Sequence, residues 1–318
     1  MNIILGTMNI EYPYSSQSNK SIDKYTEIIK EYISLTENPI LDTAYYYGNT
    51  KTEKILGEIF EQLDKIPKIA TKANPWYNND FTNNIHGQLS KVNLEFQLKT
   101  SLLNLKLDKV DTFYLHCYDY ETPIIETLEK CDELWRKEKF DNFGISNFSK
   151  DQLENMLVLC ENNKLNSPKY YQGMYNIISR KVEEIFPLLE KYNIEFWAYN
   201  PLAGGLLTGK YQNKNVDNIE SRFKNNEIYQ NIFWKDKILS NCEHFFNNGN
   251  CTEYAFQWLK KHSKLRNNDK IILGVSTIDQ LLLNLNLLEK ETNYNKNIIN
   301  NINDIYYNIE DISPNYYY

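Results

Sequence analysis

The chain alternates eight times between a short apolar segment and a longer amphipathic one, and this alternation limits its fold more than any other feature. The apolar segments are Ile3–Leu5, Ile40–Asp42, Lys68–Thr71, Thr112–Leu115, Phe143–Ile145, Tyr170–Gln172, Glu195–Ala198 and Ile271–Leu273. Each is brief, and most end on a polar residue or glycine. Between them run helical stripes: Ile124, Leu128, Cys131 and Trp135 fall four, three and four apart, and Val182, Ile185, Phe186 and Leu189 repeat the pattern. Thr122-Pro123 reads as a helix cap followed by proline at the first helical position, and Ser149 with Gln152 as a capping box. Eight strands, each followed by a helical segment, fit a (β/α)8 barrel. A doubly wound α/β sheet has the same alternation, but the count of eight and the lack of a linker favour the barrel, as one domain over residues 1–318. The one long irregular connection, Asn200 to Trp234, follows the seventh strand and would lie over the barrel mouth.

Charge and composition remove several classes. With 35 Lys plus Arg against 42 Asp plus Glu, the net charge of −7 opposes a nucleic-acid partner, which needs a basic surface. Mean hydropathy is −0.60, and no apolar run approaches the ~18 residues of a membrane span. Met1 to Gly6 reads as the first strand, not a signal peptide. The five cysteines, Cys117, Cys131, Cys160, Cys242 and Cys251, form no CxxC pair. They read as reduced thiols in a cytoplasmic compartment, with neither a metal site nor a disulfide framework.

The informative residues stand just past the strands. Asp42 and the run Tyr45-Tyr46-Tyr47 follow the second, and Lys72 and Trp76 the third. His116 ends the fourth, Ser146-Asn147 the fifth, Gln172 the sixth and Tyr199-Asn200 the seventh. In a barrel these converge on one rim. A free tyrosine titrates near ~10 and is a poor acid at neutral pH. A neighbouring lysine ammonium would lower that value, an aspartate would hold the lysine, and a histidine would orient a substrate carbonyl. Taken singly each has a blander reading: a helix-capping Asp, a surface Lys, a core His. Together, in barrel order, they describe a site that protonates a carbonyl oxygen.

Read as a set, these residues resemble the aldo-keto reductase superfamily. The resemblance rests on Leu41-Asp42-Thr43-Ala44 with Tyr47 and Gly48, Lys68 to Lys72, Tyr114-Leu115-His116, Gly144 to Phe148 and Tyr171-Gln172, and it covers nearly the whole chain. Lys72 to Trp76, Tyr171 to Asn176 and Ala198 to Tyr211 are similar to the aflatoxin aldehyde reductase (succinic semialdehyde reductase) branch. The resemblance implies a tetrad of Asp42, Tyr47, Lys72 and His116, with Tyr47 as general acid in the NADPH-dependent reduction of aldehydes (dicarbonyls, semialdehydes and aromatic aldehydes) to alcohols. It implies that Ser146, Asn147 and Gln172 hold the nicotinamide carboxamide and that Tyr199 stacks on the ring. Asn200, Leu202, Gly204 and Lys210 would surround the pyrophosphate. Gly274, Ser276, Gln280 and Asn284 would hold the adenosine end, at a helix N-terminus suited to an anion. From the residues themselves, Trp76, Tyr46 and Phe223 would line an apolar pocket for a small-molecule aldehyde, with His116 beside them. Arg222 would receive an acidic substrate tail. The branch also suggests a homodimer.

Several positions depart from the pattern. Gly274 and Gln280 stand where many relatives place cations, so preference for NADPH (NADP+) over NADH comes from the branch alone. Gln230 and Ile232 replace arginines, and the chain ends Pro314-Asn315-Tyr316-Tyr317-Tyr318 where the branch ends in arginine. Two other readings compete. The chain has no G-x-G-x-x-G, and Gly204 to Lys210 gives G-x-x-x-x-G-K with Tyr211 where a phosphate-binding loop needs Ser or Thr. A catalytically slow, NADPH-sensing regulatory subunit of the same fold is the alternative from another functional class.

Overall fold

A computed structural model describes residues 2–10, 18–80, 85–211, 222–224, 226–247, 249–291 and 296–318. Eight parallel strands close into a barrel in sequential order: β1 (Asn2–Gly6), β2 (Ile40–Asp42), β3 (Lys68–Ala73), β4 (Val110–Leu115), β5 (Phe140–Ser146), β6 (Tyr170–Met174), β7 (Glu195–Tyr199) and β8 (Lys270–Gly274). The register from Asn2↔Lys270 to Gly6↔Gly274 joins β1 to β8 and closes the ring. This is the (β/α)8 barrel that the alternation predicts. The strands run one to three residues beyond several apolar segments, because backbone pairing extends past the apolar side chains.

The helices are α1 (Ser18–Leu35), α2 (Lys51–Phe60), α3 (Lys91–Leu105), α4 (Ile124–Arg136), α5 (Lys150–Asn163), α6 (Phe186–Lys191), α7 (Glu227–Phe233), α8 (Asp236–Phe246), α9 (Cys251–Lys261), α10 (Ile278–Glu289) and α11 (Lys296–Ile309). Among the described residues three of them, α7 to α9, lie between β7 and β8, where the alternation predicts one. The connection after β7 is also less irregular than its sequence suggests: Ala203–Thr208 forms 3-10 turns, and α7 falls inside it. Residues 212–221 and 225 of that connection lie outside the described residues.

Local signals fared unevenly. The Ser149–Gln152 capping box is present on α5. On α4 the helix starts at Ile124, and Pro123 stands at the cap position. The Thr122 hydroxyl instead donates to Asp119 Oδ2 at 2.9 Å, because that buried carboxylate also gathers the Gly87 and Leu89 amides. Leu128 and Cys131 of the α4 stripe are buried, but Trp135 is 39% exposed.

Side chains alternate across a strand, so each β-strand feeds two cores. Ile4, Ala70, Tyr114, Trp197 and Ile272 fill the barrel interior, while a larger apolar layer joins the outer strand faces to the helices. Among the described residues no helix is long and apolar enough to cross a membrane.

Candidate active site

The interior cluster fixes where the polar residues point. Ile40, Ala70, Tyr114, Tyr170 and Trp197 face the barrel axis. Two residues further along each chain stand Asp42, Lys72, His116, Gln172 and Tyr199, so the same period of two brings all five to the C-terminal mouth. Lys72 is fully buried and Asp42 nearly so. The Lys72 ammonium donates to Asp42 Oδ1 and Oδ2, both at 2.8 Å, and to the Thr43 carbonyl at 2.6 Å.

Beyond β2 the chain stays paired with β3, the Thr43 amide donating to Ala70 O at 2.8 Å and the Tyr45 amide to Lys72 O at 3.0 Å. It then turns sharply into α2 through Gly48, Asn49 and Thr50, with φ of 57°, 51° and 70°. The two non-glycine residues in that left-handed region cost on the order of 1 kcal/mol each. The turn places the Tyr47 ring against β3, its centroid 5.0 Å from Lys72 Nζ. Across the pocket, the His116 ring is 5.8 Å from Tyr47 at an interplanar angle of 80°. Trp76 lies 5.0 Å from His116, and Tyr46 5.0 Å from Trp76. The expected tetrad is therefore brought together with Trp76 and Tyr46, whereas Phe223 packs against Tyr211, Tyr229 and Trp234.

The electrostatics differ from the sequence-based expectation at one point. All three Lys72 N–H bonds go to Asp42 and Thr43, so none is left for the Tyr47 hydroxyl. Burial pushes the Tyr47 hydroxyl well above its usual range, and the Asp42 carboxylate raises it further; Arg222 is the cation that pulls it back. Tyr47 is accordingly protonated at neutral pH. Burial also lowers Lys72, and Asp42 opposes that shift. His116 is held well below the usual imidazole range by burial and then by the Lys72 charge. A neutral imidazole at the pocket wall, with a buried and unpartnered Nδ1, is suited to a neutral hydrogen bond to a carbonyl.

The residues expected at the carboxamide form a second connected group. Asn147 Nδ2 donates to His116 O at 2.9 Å and to Ser146 Oγ at 3.0 Å, and its Oδ1 accepts from the Tyr199 hydroxyl at 2.8 Å. Gln172 Nε2 donates to Asp42 Oδ1 at 2.8 Å, which leaves its carbonyl and second N–H for another group.

The residues expected around the phosphates flank side-chain-free backbone. A Cβ on Gly205, whose φ is +97°, would lie 3.6 Å from Lys210 Nζ, and one on Gly274 would lie 3.5 Å from an Arg222 guanidinium nitrogen. Each pairing leaves a cradle beside a cation, which fits the phosphates of an extended dinucleotide. Gly204 is close to Tyr229, where a Cβ would stand 2.8 Å from the ring. Leu202 O accepts from the Gly205 and Leu207 amides, and Asn200 Nδ2 donates to the Tyr229 hydroxyl at 3.3 Å. At the start of α10, Gln280 Oε1 already accepts the Ser276 amide at 2.8 Å and Thr277 Oγ1 the Gln280 amide at 3.2 Å. That N-terminus is thus partly satisfied from within. Asn284 is buried on the same helix.

Arg222 hydrogen-bonds Asn9 Oδ1 and the Tyr229 hydroxyl, the latter at 3.2 Å, which sets it at the seam between β1 and β8. Asn9 and Tyr229 are additions that the sequence reading missed. Applying the strand-end rule to β1 as well would have drawn attention to Asn9; nothing in the pattern around Tyr229 distinguishes it from a core aromatic. Tyr318 is a further addition: it shares a hydrogen bond with Tyr199, and its carbonyl accepts from the Tyr120 hydroxyl at 2.8 Å.

Known proteins resemble this chain over most of its length. Residues 2–306 match the aldo/keto reductase family. The chain is 39% identical over 270 residues to aflatoxin B1 aldehyde reductase member 2 of Rattus norvegicus, covering 79% of this chain and 71% of that protein. It is 37% identical over 304 residues to aldo-keto reductase family 7 member A3 of Homo sapiens, covering 87% of each. It is 38% identical over 277 residues to aflatoxin B1 aldehyde reductase member 4 of Homo sapiens, covering 79% of each.

Proposed function

The chain belongs to the aldo/keto reductase family and is an oxidoreductase, and from that premise we propose that it reduces aldehydes to alcohols with NADPH, Tyr47 supplying the proton. The observation that carries this reading is the Tyr47 ring 5.0 Å from the Lys72 ammonium, which Asp42 holds from behind, with His116 across the pocket. The cofactor, when bound, supplies the hydride. The chain's own residues do the rest. His116, neutral, donates a hydrogen bond to the carbonyl oxygen and sets its direction. Tyr47, protonated at working pH, gives its proton to that oxygen as negative charge develops there. Lys72 then faces the phenolate that remains. Trp76 and Tyr46 exclude water and accept a flat apolar substrate body.

Ser146, Asn147, Gln172 and Tyr199 are assigned to the nicotinamide, and the cradles at Gly205 with Lys210 and at Gly274 with Arg222 to the phosphates. The relatives named for aflatoxin B1 aldehyde support aldehydes as the substrate class. Steady-state NADPH oxidation with 4-nitrobenzaldehyde tests the reading. Tyr47→Phe is expected to abolish turnover while cofactor binding, followed by protein fluorescence, survives. Undiminished turnover in that variant would refute the assignment.

A further inference from the structure

A buried carboxylate that the tetrad does not use is hydrogen-bonded to the residue before Lys72, on the outer side of the barrel wall. Ala70 and Lys72 point into the barrel, so Thr71 between them points out toward α2 and α3. The Thr71 hydroxyl donates to Glu53 Oε1 at 2.5 Å. Glu53 lies in the first turn of α2 and is fully buried, with its Oε2 enclosed and the Ser101 hydroxyl of α3 acting on the carboxyl as a second hydrogen-bonding group. One turn further along α2, Gly57 explains the enclosure. A Cβ there would stand 2.1 Å from the Asn104 carbonyl oxygen, so only glycine lets α2 lie this close to α3. The groups around the carboxyl are the Thr71 hydroxyl and Lys72 ammonium of β3, the Ser101 hydroxyl of α3 and the Tyr45 phenol of the loop after β2. Lys72 is the cation among them, and the attraction is mutual. A carboxylate is costly to enclose in this way unless a charge acts on it.

We propose that Glu53 is a positioning residue for the Lys72–Tyr47 pair: a second carboxylate that shares the Lys72 charge with Asp42 from outside the barrel, its protonation state setting the potential at the Tyr47 phenol. The proposal rests on Tyr47 being the proton donor. With Glu53 ionised, one cation faces two carboxylates, and the phenolate left after proton donation is disfavoured. With Glu53 protonated, Lys72 balances Asp42 alone and Tyr47 is the stronger acid. Burial pushes the Glu53 carboxyl up to about 7, against the pull of the Thr71 and Ser101 hydrogen bonds and of the Lys72 charge, so the change falls in the neutral range.

The test is kcat for aldehyde reduction at saturating cofactor, from about pH 5.5 to about pH 8.5, for the wild type, Glu53→Gln, Thr71→Val and Tyr47→Phe. Wild-type kcat is expected to fall roughly three- to tenfold as pH rises through the neutral range. Glu53→Gln should stay on the low-pH plateau throughout. Thr71→Val removes a hydrogen bond that lowers the carboxyl pKa, so its step should move to higher pH. Thermal unfolding supplies a readout independent of catalysis. A carboxyl raised on folding contributes stability that is present below its unfolded value and lost as pH rises through about 7. The wild-type Tm should therefore fall relative to that of Glu53→Gln across this range.

A kinetic step that persists in Glu53→Gln, or is missing from the wild type, overturns the proposal. So does a Tm difference with no kinetic step, which makes Glu53 structural only. If Glu53→Gln does not fold, the step in Thr71→Val decides, and an unmoved step is fatal. An active Tyr47→Phe overturns the proton-donor reading whatever Glu53 does. An inactive Tyr47→Phe with an unchanged step in Glu53→Gln overturns only the role of Glu53.

Discussion

Gln172 donates a hydrogen bond to Asp42 at 2.8 Å, tying the residue assigned to the nicotinamide carboxamide to the carboxylate that holds Lys72. Asp42 Oδ1 thus accepts from two buried donors, one on β3 and one on β6. Gln172→Leu keeps the volume and removes the donor. Hydrogen bonds to charged groups are worth about 1.5–3 kcal/mol, so a loss of roughly tenfold or more is expected in both cofactor affinity and kcat. Fluorescence titration and steady-state kinetics read the two separately. A change in affinity with kcat intact would mean that Asp42 does not depend on this bond.

The Lys72–Asp42 pair is also a folding element. Both groups are enclosed, at 0% and 4% side-chain exposure. Removing one partner of a buried pair leaves the other charge uncompensated, at a cost of about 3–5 kcal/mol. Lys72→Met should therefore lower unfolding free energy by about that much, beyond abolishing activity. Denaturant titration at neutral pH measures it. A loss below ~1 kcal/mol would mean that water or a local shift relieves the stranded Asp42.

How much of this was legible in the sequence depends on whether a residue's neighbours in space follow from its place on a strand. Asp42, Lys72, His116, Gln172 and Tyr199 were legible because strand order and a period of two put them on one rim. Their electrostatic balance was not: that Lys72 spends all three N–H bonds on Asp42 and Thr43 depends on distances that spacing does not encode. Glu53 was hidden because Lys51-Thr52-Glu53-Lys54 reads as the solvated first turn of a helix, and its burial follows from Gly57 meeting Asn104 in another helix. Arg222 reaches Asn9 across 213 positions of sequence, and Tyr318 reaches Tyr120 across 198, contacts that only the tertiary fold creates.

The position of Arg222 separates two anions. Its guanidinium lies beside Gly274 at the end of β8 and on Asn9 after β1, where the adenosine end of the cofactor is assigned, while its charge is still felt at Tyr47. Arg222→Ala is expected to weaken NADPH binding roughly tenfold or more while NADH binding changes little, because only NADPH adds the 2′-phosphate. The KM for succinic semialdehyde should hold within roughly twofold of the wild type, charge steering aside. The opposite pattern, an unchanged NADPH Kd with a raised KM for that substrate, would return Arg222 to the acidic substrate tail.

His116 supplies a stability slope of known sign. Burial and the Lys72 charge hold the folded imidazole well below its usual value of 6.5, so the folded protein resists a proton that the unfolded chain accepts. As pH falls below about 6.5, the unfolded state binds more protons and stability drops; above that value the term vanishes. His116→Gln keeps a hydrogen-bond donor without the titration, so its Tm should decline less than that of the wild type on acidification from about pH 7 to about pH 5. The same neutral imidazole predicts no acid limb from His116 in the wild-type rate profile over that range. Parallel Tm curves for the two proteins would mean that the imidazole gains a counter-charge on protonation, and that its neutrality is not what orients the carbonyl.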